Sequence, residues 1–294
     1  MNFLSGFIAI VGPPNVGKST LLNRILGSKI AITSPKPQTT RNRILGILHG
    51  NGYQMIFIDT PGIHKTRTAL HRSMVKSALA TFQEVDIILF MIEIGRPDTP
   101  EVQTILGNIH GITKPCILLI NKIDTGSKEQ LLPIMDKYRK MHPFDSILAI
   151  SALTGDGMDT LMYELRSNLT PGPQFFPEDM STELTESFLA SEIIREKIFL
   201  KTRNEIPYSC AVTVDKMEEV DGKNLLSIAA RIHVETNSQK GILIGKQGGM
   251  IKAISRSARL ELEKIFGMHV FLDLKVRVEK NWTKDTRALG RLGY

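Results

Sequence analysis

The chain has 294 residues, 42% of them hydrophobic and 23% charged, with a formal net charge of +7; such a length allows one large domain or two of moderate size with packed cores, and no tract reads as disordered. No apolar stretch approaches the roughly 20 residues that span a bilayer, and the N-terminal "MNFLSGFIAIVG" has no basic n-region, so its apolar part reads as a first strand. Cys116 and Cys210 lie in strand-like apolar runs without metal-ligand spacing, which suggests two buried thiols, a reducing compartment and a cytoplasmic location.

In chain order, "GFIAIVG" is a strand that runs into a Gly-rich loop and the helix "KSTLLNRILGS". "TRNRILGILHG" reads as an edge strand paired with the next one, "YQMIFIDT". Further apolar runs follow at "DIILFMIEI", "PCILLINKID" and "DSILAISAL". Helical patterns fall between most of them, at "TALHRSMVKSALATF", "PEVQTILGNI" and "KEQLLPIMDKYRKM", and "GMDTLMYELRSNL" follows the last. Continuous apolar strands alternating with helices predict a parallel sheet covered on both faces.

Around "LTPGPQFFPEDMSTEL" the periodicity stops, and Pro171, Pro173 and Pro177 mark a linker. Beyond it, "ESFLASEIIREKIFLKTR" is an amphipathic helix with Phe188, Leu189, Ile193, Ile194, Ile198 and Phe199 on its apolar side. Two alternating strands follow, marked by Cys210, Val212 and Val214 and by Leu226, Ile228, Ala230, Ile232 and Val234, with Asp-Gly in the turn between them. A loop, the helix "MIKAISRSARLELEKIF" and a strand alternating at Val270, Leu272, Leu274, Val276 and Val278 complete an α-β-β-α-β layout. From Lys223 to Tyr294 there are 14 Lys/Arg against 6 Asp/Glu, a net +8 that points to a polyanionic partner.

Four short motifs carry the chemistry of the first half. "GPPNVGKST", Gly12, Pro13, Pro14, Asn15, Val16, Gly17, Lys18, Ser19 and Thr20, stands between a strand and a helix. Glycines let backbone N–H groups converge on phosphate oxygens at a helix N-terminus, Lys18 reaches the β and γ phosphates, and the Ser19 hydroxyl ligates Mg²⁺. "DTPG", Asp59, Thr60, Pro61 and Gly62, ends a strand where a carboxylate can hold the metal through water and an N–H can meet the γ-phosphate. "NKID" supplies Asn121 for the N7 edge of a base, the Lys122 stem for its ring face, and Asp124 as acceptor for guanine N1–H and the N2 amine. Adenine has neither donor there, so the base is guanine. "SAL", Ser151, Ala152 and Leu153, offers a backbone N–H to guanine O6.

In the second half, "GILIGKQGGMIKAI" contains Gly245, Lys246, Gln247 and Gly248, a G-x-x-G loop between helical segments of the kind that clamps about four unpaired nucleotides in KH modules. Ile242, Ile244, Ile251 and Ile254 are candidates for the apolar groove beside it, and Lys252 and Arg256 for phosphate contacts. Lys240, Arg259, Lys275, Arg277 and Lys280 are further basic candidates, and Trp282 reads as a hydrophobic anchor for the tail.

The run "GPPNVGKST…PQTTR…DTPGIH…NKID…SAL" resembles the bacterial Era GTPase family, and residues 186–294, with the ending "NWTKDTRALGRLGY", resemble that family's type II KH domain and tail. The resemblance implies an α/β fold: a Ras-like P-loop GTPase sheet with helices on both faces over 1–169, a linker at 170–185, and a smaller α+β type II KH domain over 186–294. It implies GTP and GDP as ligands with Mg²⁺ held by Ser19, Thr40 and Asp59. Thr39 and Thr40 are both available for the switch threonine, and the family pattern favours Thr40. Lys18, Thr40 and Gly62 then take the catalytic roles. Pro13 departs from the basic residue common in the family at that position. Ile63, after the glycine of "DTPG", has no group to orient a water, so either something else positions the water or hydrolysis is slow until a partner docks. The resemblance places the chain among GTPases with an apolar residue there, in several of which a loop Asn like Asn15 helps bind K⁺ in place of an arginine finger. The implied partners are the 3′ end of small-subunit ribosomal RNA and the small ribosomal subunit, with the chain acting as a cytoplasmic monomer in subunit assembly. A GTP-regulated module at an anionic membrane surface, or in a cell-cycle checkpoint, is the alternative; an ATP-dependent kinase leaves "NKID" and the G-x-x-G loop unexplained.

Overall fold

A computed structural model of the chain describes residues 3–37, 39–62, 70, 74 and 81–294. Contacts divide it into two compact units, one of Met1–Ala31, Thr40–Arg67 and His71–Glu183 and another of Ile32–Thr39, Thr68–Leu70 and Leu184–Tyr294.

The first unit is a sheet with strand order β2-β3-β1-β4-β5-β6. Its strands are β1 (Leu4–Val11), β2 (Ile44–Gly50), β3 (Tyr53–Asp59), β4 (Ile87–Glu93), β5 (Cys116–Asn121) and β6 (Ser146–Ala149). Every pairing along this path is parallel except β2 with β3, the antiparallel edge expected from "TRNRILGILHG". Continuous burial of β5 and near-complete burial of β4 explain their unbroken apolar runs. The helices bounded among the described residues are α1 (Lys18–Leu26), α2 (Pro100–Ile109), α3 (Leu131–Met141) and α4 (Met158–Ser167). Thr99 caps α2, accepting from the Val102 amide, with Pro100 at the first helical position. The helix expected over "TALHRSMVKSALATF" falls largely outside the described residues, as do Ile63 and His64.

The Pro-rich stretch forms a hydrogen-bonded strap. Thr170–Pro171 (β7) pairs with β1. Farther along, Gln54, fully buried on β3, accepts the amides of Phe175 and Phe176 and donates to the Phe176 carbonyl. Thr182 then bridges Gly46 on β2, and the Ile47 amide donates to the Ser181 carbonyl. The strap thereby covers an edge strand that would otherwise offer unpaired backbone groups.

The second unit is α5 (Glu186–Lys201), β8 (Ala211–Glu219), β9 (Leu225–Val234), α6 (Asn237–Ile244), α7 (Gly249–Phe266), β10 (His269–Val278) and α8 (Thr286–Arg291). Its three-stranded sheet has the order β10-β9-β8, with β9 and β10 parallel and β8 and β9 antiparallel. The alternating residues of β9 and β10 pack with α5 and α7 in one core. Ile254, a groove candidate from sequence, is a fully buried member of that core, because it lies on the inner face of α7. Trp282 is also fully buried; its Nε1 donates to the Ser209 carbonyl and its ring stacks on Tyr294, so it anchors the tail. Instead of a single apolar stripe, α5 is buried from Ala190 through Phe199, charged residues included. Its polar side is occupied because residues 33–39 hydrogen-bond to it. Among the described residues, no helix is long and apolar enough to cross a membrane.

His233 on β9 is buried between Thr213 Oγ1, 2.9 Å from Nε2, and Glu279 Oε2, 3.0 Å from Nδ1. A neutral ring protonated on Nδ1 donates to the carboxylate and accepts from the hydroxyl. Burial, then Arg231 and Arg277, pull its pKa from 6.5 down to about 4, against Asp215. Between those values the unfolded chain binds a proton that the folded protein does not, so this contribution to stability is present above pH 6.5 and is lost as pH falls toward 4. Denaturant titrations followed by Trp282 fluorescence should show a loss of up to about 3 kcal/mol between pH 7 and pH 4, and a smaller loss in His233→Gln.

Candidate functional site

The four motifs of the first unit all stand at the C-terminal ends of its parallel strands, where open α/β sheets place ligands. The phosphate loop leaves β1 and enters α1 through Gly17, whose φ of 107° is left-handed. A Cβ there would sit 2.4 Å from Asn121 Nδ2, so both backbone and space demand glycine. No side chain caps α1 at Gly17, which leaves its first amides directed at the loop. Asn15 is exposed and also has a positive φ of 62°. Lys18 Nζ donates to the carbonyls of Gly12 and Pro13, each at 3.0 Å, so Pro13 contributes through its backbone. Val16 is buried, and the half-buried Thr20 faces a surface cleft beside Arg24, Ala152 and Leu153.

A polar centre joins α1, β3 and the residue Thr40. Ser19 Oγ donates to Asp59 Oδ2 at 2.6 Å and lies 2.8 Å from Thr40 Oγ1, which is itself 3.3 Å from Asp59 Oδ2. Of the two threonines left open by the sequence, Thr40 is the one in this cluster; the Thr39 hydroxyl donates to the Lys36 carbonyl. Asp59 is fully buried and its Oδ1 has no hydrogen-bond partner among the described residues. Burial raises its carboxyl above 3.8, against Lys18 and the two hydroxyls, while burial lowers the Lys18 ammonium from 10.5 to about 8, against Asp59. One orphaned carboxylate oxygen beside two hydroxyls is a donor set of hard oxygens, which fits Mg²⁺. Thr60 Oγ1 donates to the Ile10 carbonyl, and Pro61 is buried. Gly62 packs on Pro14, whose ring and backbone would lie about 3.0 Å from an added Cβ.

The "NKID" and "SAL" motifs are tied to the glycine-rich loop through Asn121. Its Nδ2 donates to the Val16 carbonyl at 2.7 Å and its Oδ1 accepts the Ala152 amide at 2.9 Å. The carboxamide thus links three loops, a bracing role that the sequence reading, which assigned it to the base, did not contain. Lys122 has a φ of 65° and its Nζ meets Glu93 Oε2 at 2.8 Å. Asp124 Oδ1 accepts from Ser151 Oγ at 2.6 Å. Ser151 and Ala152 amides are engaged within the protein, and Leu153 is exposed with its carbonyl held by Arg24.

In the second unit, the G-x-x-G loop joins α6 to α7. Gly245 has φ 72° and ψ 173°, a conformation essentially confined to glycine, and a Cβ there would lie 2.7 Å from Met250 Cβ. Gln247 and Gly248 are left-handed, and the Gly248 amide closes the loop on the Gly245 carbonyl. Lys246, Gln247, Lys252 and Arg256 are exposed and Ile244 is half-buried. A groove of about 620 Å³ runs between α7 and β10, lined by Lys252, Arg256, Arg259, His269 and Phe271 among others. Phe271 is 59% exposed. Sequence reasoning missed it; the available signal was an aromatic on the outward register of an alternating strand.

Comparison with known proteins covers both units. Residues 7–122 match the family model described as a 50S ribosome-binding GTPase and residues 205–283 the KH domain model. GTPase Era of Syntrophus aciditrophicus is 54% identical over 99% of this chain and 95% of its own length. The chain belongs to the Era family of GTPases. GTPase Era of Geobacter metallireducens is 52% identical over 99% of this chain and 98% of its own. Among solved structures, Era in complex with MgGDPNP and nucleotides 1506–1542 of 16S ribosomal RNA has a TM-score of 0.96 at 43% identity, covering 99% of both chains. A point variant of Aquifex aeolicus Era bound to GDP·AlF₄⁻ gives 0.95 at 43%, covering 100% of this chain and 99% of its own. The expected α/β GTPase sheet followed by a KH domain is therefore the Era-family architecture.

If the Gly17–Asn121 contact sets the loop, Gly17→Ala should weaken guanine-nucleotide binding by about 5–30-fold, since a left-handed alanine costs roughly 1–2 kcal/mol. Equilibrium titration with a fluorescent GDP, alongside an unchanged far-UV spectrum, checks this.

Proposed function

We propose that the chain is a GTP-hydrolysing switch that grips single-stranded RNA at the 3′ end of small-subunit ribosomal RNA and acts in assembly of the small ribosomal subunit. The observation that carries this reading is the near-complete overlap with an Era seen together with MgGDPNP and 16S ribosomal RNA nucleotides.

In this reading Lys18 exchanges the Gly12 and Pro13 carbonyls for phosphate oxygens, and the amides of the loop and of the first turn of α1 hold the rest. Asp124, oriented by Ser151, reads the guanine edge, while Asn121 keeps the loops in register. Ser19, Thr40 and Asp59 hold Mg²⁺, which neutralises charge developing on the phosphates. Thr40 and the Gly62 amide distinguish triphosphate from diphosphate. Ile63 supplies no hydrogen bond to an attacking water; K⁺ held by the exposed Asn15 would supply positive charge beside the phosphates. Turnover should be several-fold faster in K⁺ than in Na⁺ at equal ionic strength, and equal rates would remove K⁺ from the scheme.

RNA lies over Gly245–Gly248 with phosphates on Lys246, Lys252 and Arg256, the apolar side of Ile244 beside it, and a base on Phe271. Nucleotide state and RNA affinity are then reciprocally linked. The chain works in the cytoplasm as a single copy. Anionic lipid is the competing partner for the same charges, and one substitution separates the two. Gly248→Asp places a carboxylate against the phosphates and should abolish binding of a 16S 3′-end oligonucleotide; RNA binding that survives it would overturn the assignment, as would vesicle binding lost in parallel with RNA.

A further inference from the structure

The backbone amides of "SAL" do not share one state. The Ser151 amide donates to the Asp156 carbonyl and the Ala152 amide to Asn121 Oδ1, each at 2.9 Å. Neither is open to a ligand without breaking a bond inside the first unit. The Leu153 amide has no hydrogen-bond partner among the described residues. Leu153 itself is 68% exposed.

The peptide groups on both sides of Leu153 are held by one side chain of α1. Arg24 Nε donates to the Ala152 carbonyl at 3.3 Å, and its Nη2 donates to the Leu153 carbonyl. The same guanidinium lies over Gly155, where an added Cβ would meet Nη1 at 3.8 Å. The Ala152 carbonyl and the Leu153 amide belong to one rigid plane, and in a trans peptide the N–H points opposite to the carbonyl oxygen. Holding that oxygen toward α1 therefore turns the Leu153 N–H away from it. A planar fork that engages two carbonyls fixes this plane better than a single ammonium can. Arg24 sits about 9 Å along the helix axis from Lys18, so the helix that begins at the phosphate loop also holds this second loop. Thr20, Arg24 and Leu153 line one cleft of about 340 Å³. All of these residues lie within the first unit.

We propose that the Leu153 amide is the donor to guanine O6 and that Arg24 is the positioning residue that aims it. This deepens the proposed GTPase reading and rests on it. Asp124 accepts from N1–H and the N2 amine, and the Leu153 N–H completes the edge at O6. Adenine carries an amino group where guanine has O6, so a fixed N–H there meets a donor and rejects the wrong base as well as attracting the right one. Arg24 thus makes α1 a determinant of base choice, although it stands outside the four nucleotide motifs.

The test uses the full chain titrated with GDP, IDP and 6-thio-GDP. IDP lacks the N2 amine and keeps O6, whereas 6-thio-GDP keeps the amine and carries a larger, weaker acceptor in place of O6. Arg24 is exposed and alanine suits a helix, so Arg24→Ala keeps the fold. It should weaken GDP and IDP alike by about 2–10-fold, the range of one net hydrogen bond. The loss for 6-thio-GDP should be smaller, so the preference for GDP over 6-thio-GDP narrows in the variant. Arg24→Lys, which keeps one donor, should fall between wild type and Arg24→Ala. Equal weakening of all three nucleotides would reduce Arg24 to a structural tie, and a loss for GDP that spares IDP would move its action to Asp124. Either result, or unchanged binding, would overturn the proposal. If the wild-type chain held GDP no more tightly than ADP, the guanine-site reading itself would fall, and this proposal with it.

Discussion

A buried carboxylate with one oxygen unmatched is the constraint around which the first unit is arranged. Asp59 is fully inaccessible, shares Oδ2 with the hydroxyls of Ser19 and Thr40, and leaves Oδ1 without a partner among the described residues. An isolated buried charge is costly unless it is paired or coordinates a cation. Lys18 lies close enough to oppose the rise of the Asp59 pKa, yet its Nζ is hydrogen-bonded to two loop carbonyls. The unmatched oxygen is therefore the point of this centre at which a cation would offset the cost of burial.

Such a centre works only if the loops around it keep their places, and the sheet supplies that order. β1, β3, β5 and β6 deliver their motifs to one edge because their pairings along the path are parallel and in register, with Ile10 opposite Asp59. Asn121 then ties the phosphate loop to the loop after β6 through a single carboxamide. Thr60 ties the end of β3 back to β1. In the second unit a comparable economy holds: Gly245 takes a backbone conformation closed to other residues, and the loop that follows displays Lys246 and Gln247 to solvent.

Much of this was legible in the sequence because the signals were local. A glycine-rich loop between an apolar strand and a helix, an acid at a strand end, and period-two alternation in β9 and β10 each depend on neighbours a few residues away. What escaped depends on distant partners. The strap from Thr170 to Glu183 reads as a linker because its bonds are made to Gln54, Gly46 and His49, more than a hundred residues earlier. Asn121 reads as a base contact because nothing near it announces Val16 and Ala152. The all-round burial of α5 was hidden for the same reason, since its charged residues meet one another and residues 33–39. Ile254 and Phe271 were misjudged or missed because alternation and helical period give a face without saying which face is covered. Ile254 lies inside the core and Phe271 outside it.

The account stands on Asp59 being the carboxylate that makes GTP binding depend on a divalent cation. Titrating wild type and Asp59→Asn with a non-hydrolysable GTP analogue, with Mg²⁺ and with a chelator, tests it most directly. Wild type should bind more tightly with Mg²⁺, and Asp59→Asn should bind equally well in both conditions. An undiminished Mg²⁺ response in Asp59→Asn would contradict the account.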